Sequence, residues 1–104
     1  MSVLMEFSIF PTDQGESVSA QVSEVIRMVR ESGLAYRLTP MGTIVETNTV
    51  ADALALVERA AAVLDDLDCR RVYSAIKLDI RSSQDGRMAG KIESVEARVG
   101  QVQH

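Results

Sequence analysis

Glu6 and Ser8 in VLMEFSIF, Thr39, Thr43 and Glu46 in TPMGTIVETN, and Tyr73, Lys77 and Asp79 in RRVYSAIKLDI are the side chains that could do chemistry together. Glu6 and Glu46 each interrupt a strand-like apolar run. Burying a carboxylate without a partner is costly, so a covered acid needs a mate from the protein or from a ligand. Two such acids in one partly covered pocket would suit amino groups or a cation, with the hydroxyls of Ser8, Thr39 and Thr43 beside them. Alternatively the two are ordinary surface acids, or acids bonded across the sheet to Lys77 and Arg37.

Little in the chain points to catalysis, and the expectation is a protein that is not an enzyme. His104 is the single histidine and stands last; Cys69 is the single cysteine. No intrachain disulfide can form, and the usual zinc ligand sets and nucleophile–base pairs are hard to assemble. Cys69 reads as a small buried hydrophobe at a strand entry, with no histidine near in sequence to activate it. Arg81, Arg87 and Lys91 in IRSSQDGRMAGK invite a phosphate reading, but the GxxxxGK[ST] pattern is missing and a solvated polar turn fits better. Fifteen acids against eleven bases give a net charge of −4, the opposite of a nucleic-acid footprint. No apolar run approaches the roughly 20 residues of a membrane span. MSVLMEFSIF lacks the basic start of a signal peptide, so a cytoplasmic protein is expected.

The elements that must position these residues follow from periodicity, as one domain over residues 1–104. Alternation predicts a strand over 3–10, ended by Pro11. Val18, Val22, Val25, Ile26 and Val29 recur at helical spacing over 17–32, and Gly33 is placed to stop that helix. Strands follow at 34–39 and 43–47 around Pro40-Met41-Gly42. Thr49 caps a helix running through residue 67, with Asp52 three residues on. A strand over 70–80 and a last short helix near 89–100, with Ile92, Val95 and Val99 on one side, complete the chain.

The order β-α-β-β-α-β predicts an α+β, ferredoxin-like sandwich: a four-stranded antiparallel sheet with helices on one face, plus a short C-terminal helix. The other face stays open in that arrangement. It would carry Leu4, Phe10, Tyr73 and either Ile44 or Val45, an apolar patch that predicts self-association by sheet-face packing. Period alone leaves open which face Glu46 takes.

EFSIFP, ESGLAYRLTPMGTIVE, RRVYSAIKLDIR and GKIESVE, in this order over nearly the whole chain, resemble the family of small thiamine-binding proteins. The LTPMGT-x-x-E segment is the most specific part. One departure is Thr47-Asn48, where many members carry a Gly after the strand acid. The resemblance implies homodimers packed through open sheet faces, and homotetramers built from them. It also implies non-catalytic binding of thiamine, or of its hydroxymethyl-aminopyrimidine portion, at the subunit interface, with no other cofactor.

On this resemblance Glu46 anchors the ligand amine or a protonated ring nitrogen, in a charge-assisted bond worth about 1.5–3 kcal/mol. Thr43 is its neighbouring hydroxyl, Glu6 and Ser8 complete the polar wall with Thr39, and Met41 and Tyr73 can sandwich the ring. The rival expectation is a structural or regulatory self-association domain with no small ligand.

Overall fold

Strand β1 (Ser2–Pro11) carries an apolar side chain at every odd position from 3 to 9, and it occupies the middle of the sheet in the computed structural model, which describes residues 1–83 and 87–104. Val3, Met5, Phe7 and Ile9 are buried on one side, as a period of two requires. The chain continues through α1 (Ser19–Glu31), β2 (Ala35–Thr39), β3 (Gly42–Thr47), α2 (Val50–Asp66), β4 (Val72–Arg81) and α3 (Arg87–Val99). The strands lie in the order β2-β3-β1-β4, and every neighbouring pair is antiparallel. This is the ferredoxin-like arrangement that the element order predicts.

Register decides the faces. Val3 lies opposite Thr47, Met5 opposite Val45 and Phe7 opposite Thr43, and directly opposed residues share a face. Thr43, Val45 and Thr47 are therefore on the helix side, with the odd residues of β1. Val25, Met28 and Val29 of α1, and Ala53, Leu56, Ala60 and Leu64 of α2, close the core over them. Each large apolar side chain taken fully from water contributes about 1.5–3 kcal/mol. Leu4, Glu6, Ser8, Ile44 and Glu46 take the other face, so Ile44 rather than Val45 belongs there.

Local signals explain most boundaries. Thr49 Oγ1 accepts from the Asp52 N–H at 3.0 Å and starts α2. Gly33 follows α1 with φ +78°, a left-handed conformation that costs glycine little. β4 begins at Val72 rather than at residue 70: the Arg70 N–H is turned to Asp13 Oδ2 at 2.8 Å instead of a strand partner.

The last helix departs most from expectation. It begins at Arg87, not residue 89, and its start lies over one end of the face expected to stay open. Leu4, on that face, is only 8% exposed. Val95 and Val99, the expected apolar side of this helix, remain exposed. Residues 84–86 of the expected polar loop lie outside the described residues. Among the described residues no helix is long and apolar enough to cross a membrane.

Candidate functional site

Where α3 meets the sheet, charged groups are drawn together. Glu46 stands opposite Leu4 on β1, and Leu4 stands opposite Asp79 on β4, so one row across three strands carries two acids. The Glu46 carboxylate accepts from Ser2 Oγ at 2.8 Å and from the N–H groups of Arg87 and Met88 at 3.1 and 3.2 Å. The first N–H groups of a helix have no acceptor within it and lie at the positive end of its dipole. Glu46 thus caps α3 from 41 residues away in sequence.

Arg87 fills the same corner and is 4% exposed. Its Nε donates to Ser2 Oγ at 3.3 Å, its Nη1 to Asp79 Oδ1 at 3.0 Å, and its Nη2 to the carbonyls of Ser2 and Asp79. Lys91 Nζ donates to Asp79 Oδ2 at 2.7 Å. The Lys91 ammonium and the Arg87 guanidinium hold the Asp79 carboxyl below its ordinary range. These groups fix a helix to a sheet.

The β2–β3 hairpin builds a different kind of place. Thr39 Oγ1 donates to the Gly42 carbonyl at 2.8 Å and accepts from the Met41 N–H at 3.3 Å, which ties the turn. A Cβ on Gly42 would stand 3.1 Å from the Phe7 carbonyl oxygen, so glycine allows the hairpin to lie close against β1. Between the hairpin, β1 and α1 opens a cavity of about 410 Å³. Phe7, Ile9, Val22, Val25, Ile26 and Leu38 supply apolar wall, and Ser8, Thr39, Met41 and Thr43 line it too.

Thr43 is only 5% exposed, yet no side-chain polar atom shut from solvent lacks a partner among the described residues. Among them no partner is recorded for its hydroxyl, which therefore opens on the cavity. Among the described residues no charged side chain lines this space. The volume falls within the roughly 300–1,000 Å³ of small-ligand sites.

The open face continues past the hairpin. A hollow of about 170 Å³ shares Phe7, Ser8 and Met41 with the larger cavity and has Glu6 and Lys77 in its wall. Glu6 Oε1 lies 3.2 Å from Lys77 Nζ, both well exposed. A groove of about 450 Å³ runs from there toward α3, with Leu4, Ile44, Met88 and Ile92 along it and Arg37, Asp79 and Lys91 at its sides. Phe10 and Tyr73 form a tilted ring pair, centroids 5.7 Å apart.

Of the residues singled out in the sequence, Ser8, Thr39, Met41 and Thr43 come together around one cavity. Glu6 lies just beyond it, and Tyr73 packs against Phe10 farther along the face. Glu46 does not join them. It is an even residue of β3 and Thr43 an odd one, so they project from opposite faces and cannot be neighbours. Its carboxylate is committed to Ser2 and to the start of α3.

Arg87, read in sequence as part of a solvated turn, is buried. Ser2 and Arg87 had no local signal. Only the cross-strand row of Glu46 and Asp79 could have pointed to a basic partner at the start of the last helix. Cys69 is buried, and burial pushes its thiol up from the ordinary value. His104 lies 3.4 Å from Arg37 and 4.0 Å from Glu96, away from the cavity.

Comparison with known proteins gives this arrangement its context. A UPF0045 protein of Mycobacterium tuberculosis is 40% identical over 96 residues, covering 92% of this chain and 93% of that protein. A UPF0045 protein of Methanocaldococcus jannaschii is 31% identical over 93 residues, or 89% and 91% of the two chains. Among solved structures, the hypothetical protein MJ1052 from M. jannaschii superposes with a TM-score of 0.78 at 29% identity, over 90% of this chain and 95% of that one. A proposed thiamine biosynthesis/salvage protein of Thermotoga maritima shares the fold, with a TM-score of 0.73 at 16% identity over 88% and 98% of the chains. Residues 5–96 match the family described as thiamine-binding protein, and the chain belongs to that family.

Proposed function

We propose that this protein binds thiamine or its hydroxymethyl-aminopyrimidine portion without transforming it, as a cytoplasmic carrier, buffer or sensor. The observation that carries the reading is the cavity between the hairpin and α1, apolar in its walls and lined by the LTPMGT residues Thr39, Met41 and Thr43. An aminopyrimidine is flat and largely apolar, with ring-nitrogen acceptors and one amine. Thr43 Oγ1 would donate to a ring nitrogen. A cavity without charge favours the neutral ring over its protonated form.

The adjoining hollow extends the fit. A thiazolium leaving the cavity past Met41 would approach Glu6. The exposed Glu6–Lys77 pair is worth little by itself, so a cation can replace Lys77 there. Met41 stands at this junction, and a second copy packed over the remaining open face would cover it and complete the site at a subunit interface. Membership of the thiamine-binding family supports the ligand class. A non-catalytic role is supported by the buried, upward-shifted thiol of Cys69 and the distance of His104 from the cavity.

Calorimetric titration with thiamine and with hydroxymethyl-aminopyrimidine tests this. Saturable binding is expected for both. Thr43→Val should weaken both by up to about tenfold, the loss of one hydrogen bond of about 0.5–1.5 kcal/mol. Val22→Trp, which fills the cavity, should abolish binding. Full affinity in the Val22→Trp protein would rule the cavity out, and no binding by the native protein would favour the self-association domain instead.

A further inference from the structure

Along α1, Ser19, Val22, Ser23, Ile26, Arg27 and Arg30 recur at helical spacing and form one stripe beside β2. On β2, Tyr36 stands opposite Val45 and Leu38 opposite Thr43, so both project to the helix side of the sheet. Between the stripe and these two side chains lies a hollow of about 400 Å³. Val22, Ile26 and Leu38 also wall the hairpin cavity, so the two spaces meet along them. None of the three belongs to the closed core: Val22 and Ile26 are half-buried, and Leu38 is 62% exposed.

Charge sets this hollow apart from the cavity. Among the described residues Arg27 and Arg30 are its charged lining, and no acid joins them. In a chain of net charge −4 that is a local reversal of sign. Arg27 Nε donates to Glu24 Oε2 at 3.3 Å, which leaves its Nη groups to donate elsewhere. The Arg30 side chain has no hydrogen-bond or ion-pair partner among the described residues. Its neighbours one turn back are Ile26 and Arg27, and no acid stands three or four residues beyond it. Like charges one turn apart cost stability, and an anion held between them would turn that cost into attraction.

The hairpin cavity thus has two exits of different chemistry, the Glu6 side beyond Met41 and the guanidinium side beyond Leu38. We propose that the guanidinium exit takes a phosphomonoester, so that the protein prefers the phosphate ester of hydroxymethyl-aminopyrimidine to the free alcohol. This rests on the reading of the hairpin cavity as the pyrimidine site. With the ring in the cavity, the phosphate on its methylene would cross the short rim of Val22 and Leu38. A phosphomonoester carries a charge of about −1.5 to −2 at pH 7 and three acceptor oxygens, a match for two forked guanidiniums. A carboxylate, with a single charge, would answer only one of them. The Tyr36 hydroxyl, in the same wall, is a further donor.

Calorimetric titration of the full-length protein tests this with the free pyrimidine, its phosphate, thiamine and thiamine monophosphate. The pyrimidine phosphate should bind about tenfold tighter than the free pyrimidine at low salt, and lose most of that gain in about 0.5 M salt. Arg30→Gln should bring the two within about twofold of each other, whereas Arg98→Gln, an equal loss of charge on α3, should leave the preference intact. Thiamine monophosphate carries its phosphate beyond the thiazolium, on the Glu6 side, and should gain nothing over thiamine. A gain there that Arg30→Gln removes, or displacement of the pyrimidine phosphate by equimolar inorganic phosphate, overturns the assignment to a ring phosphomonoester. No gain from the pyrimidine phosphate, or a gain that survives Arg30→Gln, overturns this inference and leaves the cavity as a pyrimidine site. Binding of neither pyrimidine overturns both.

Discussion

The two ends of β3 show what separates a structural polar group from an available one. At the α3 end Arg87 is drawn out of water and Glu46 partly so, with Asp79 half-exposed beside them, and Glu46 and Arg87 meet partners from the same chain. At the hairpin end Thr43 is as well buried as the chain's core, yet its hydroxyl opens on a cavity. The difference is one of charge. A buried charge without a partner costs far more than a hydroxyl facing a space that water can enter, so the fold must satisfy the first and can leave the second. Candidate ligand chemistry thus collects at the neutral end, although the acids looked more chemical.

The largest effect that would test this division is at Arg87. Arg87→Met keeps the bulk of the stem and removes the guanidinium between Ser2 and Asp79. Breaking a buried ion pair from one side costs about 3–5 kcal/mol, and with Asp79 half-exposed the lower figure, about 3 kcal/mol, is expected in denaturant titration. Hydrogen exchange should place the loss in α3. A variant as stable as the native protein would mean that the corner is not what holds α3.

Glu46→Gln comes next and cuts across both ends. The amide keeps one acceptor but turns an NH2 toward donors, at a cost of about 1–3 kcal/mol. Affinity for thiamine should stay within about twofold of native, because Glu46 is outside the hairpin cavity. A large loss of affinity in a well-folded Glu46→Gln protein would return the anchoring role to this acid and erase the distinction between the ends.

What the sequence left open at Glu46 is instructive. The fold was legible because its signals are local: alternation in β1, the helical spacing of Val22, Val25 and Val29, the Thr49 cap and the Gly33 stop. The ferredoxin-like order followed from element order alone. The face of Glu46 was not legible, since Ile44 and Val45 make the two sides of β3 look alike, and only pairing with β1 separates them. Its partners were still less so. Ser2, Arg87 and Met88 are more than 40 residues distant in sequence, and no period or motif encodes such a meeting. At the hairpin Thr39, Met41 and Thr43 are sequence neighbours, and their grouping around one cavity was accordingly the part of the site within reach.

The smallest effect is the response of α3 to acid, and it tests whether that end depends on charge rather than on shape. Asp79 is held below its ordinary range by Lys91 and Arg87. A carboxyl with a depressed folded-state pKa lends stability that is fully present above its unfolded value, about 3.9, and is lost as pH falls through the folded value. Protection of α3 amides should therefore be level from pH 7 to about 5 and decline below about 4. In Asp79→Asn it should be lower at pH 7 and lose part of that acid dependence, since the amide cannot titrate. Cavity binding should be indifferent to the same substitution. Equal acid profiles in the two proteins would show that Asp79 carries none of this dependence, and that α3 is docked at this corner by packing and neutral hydrogen bonds.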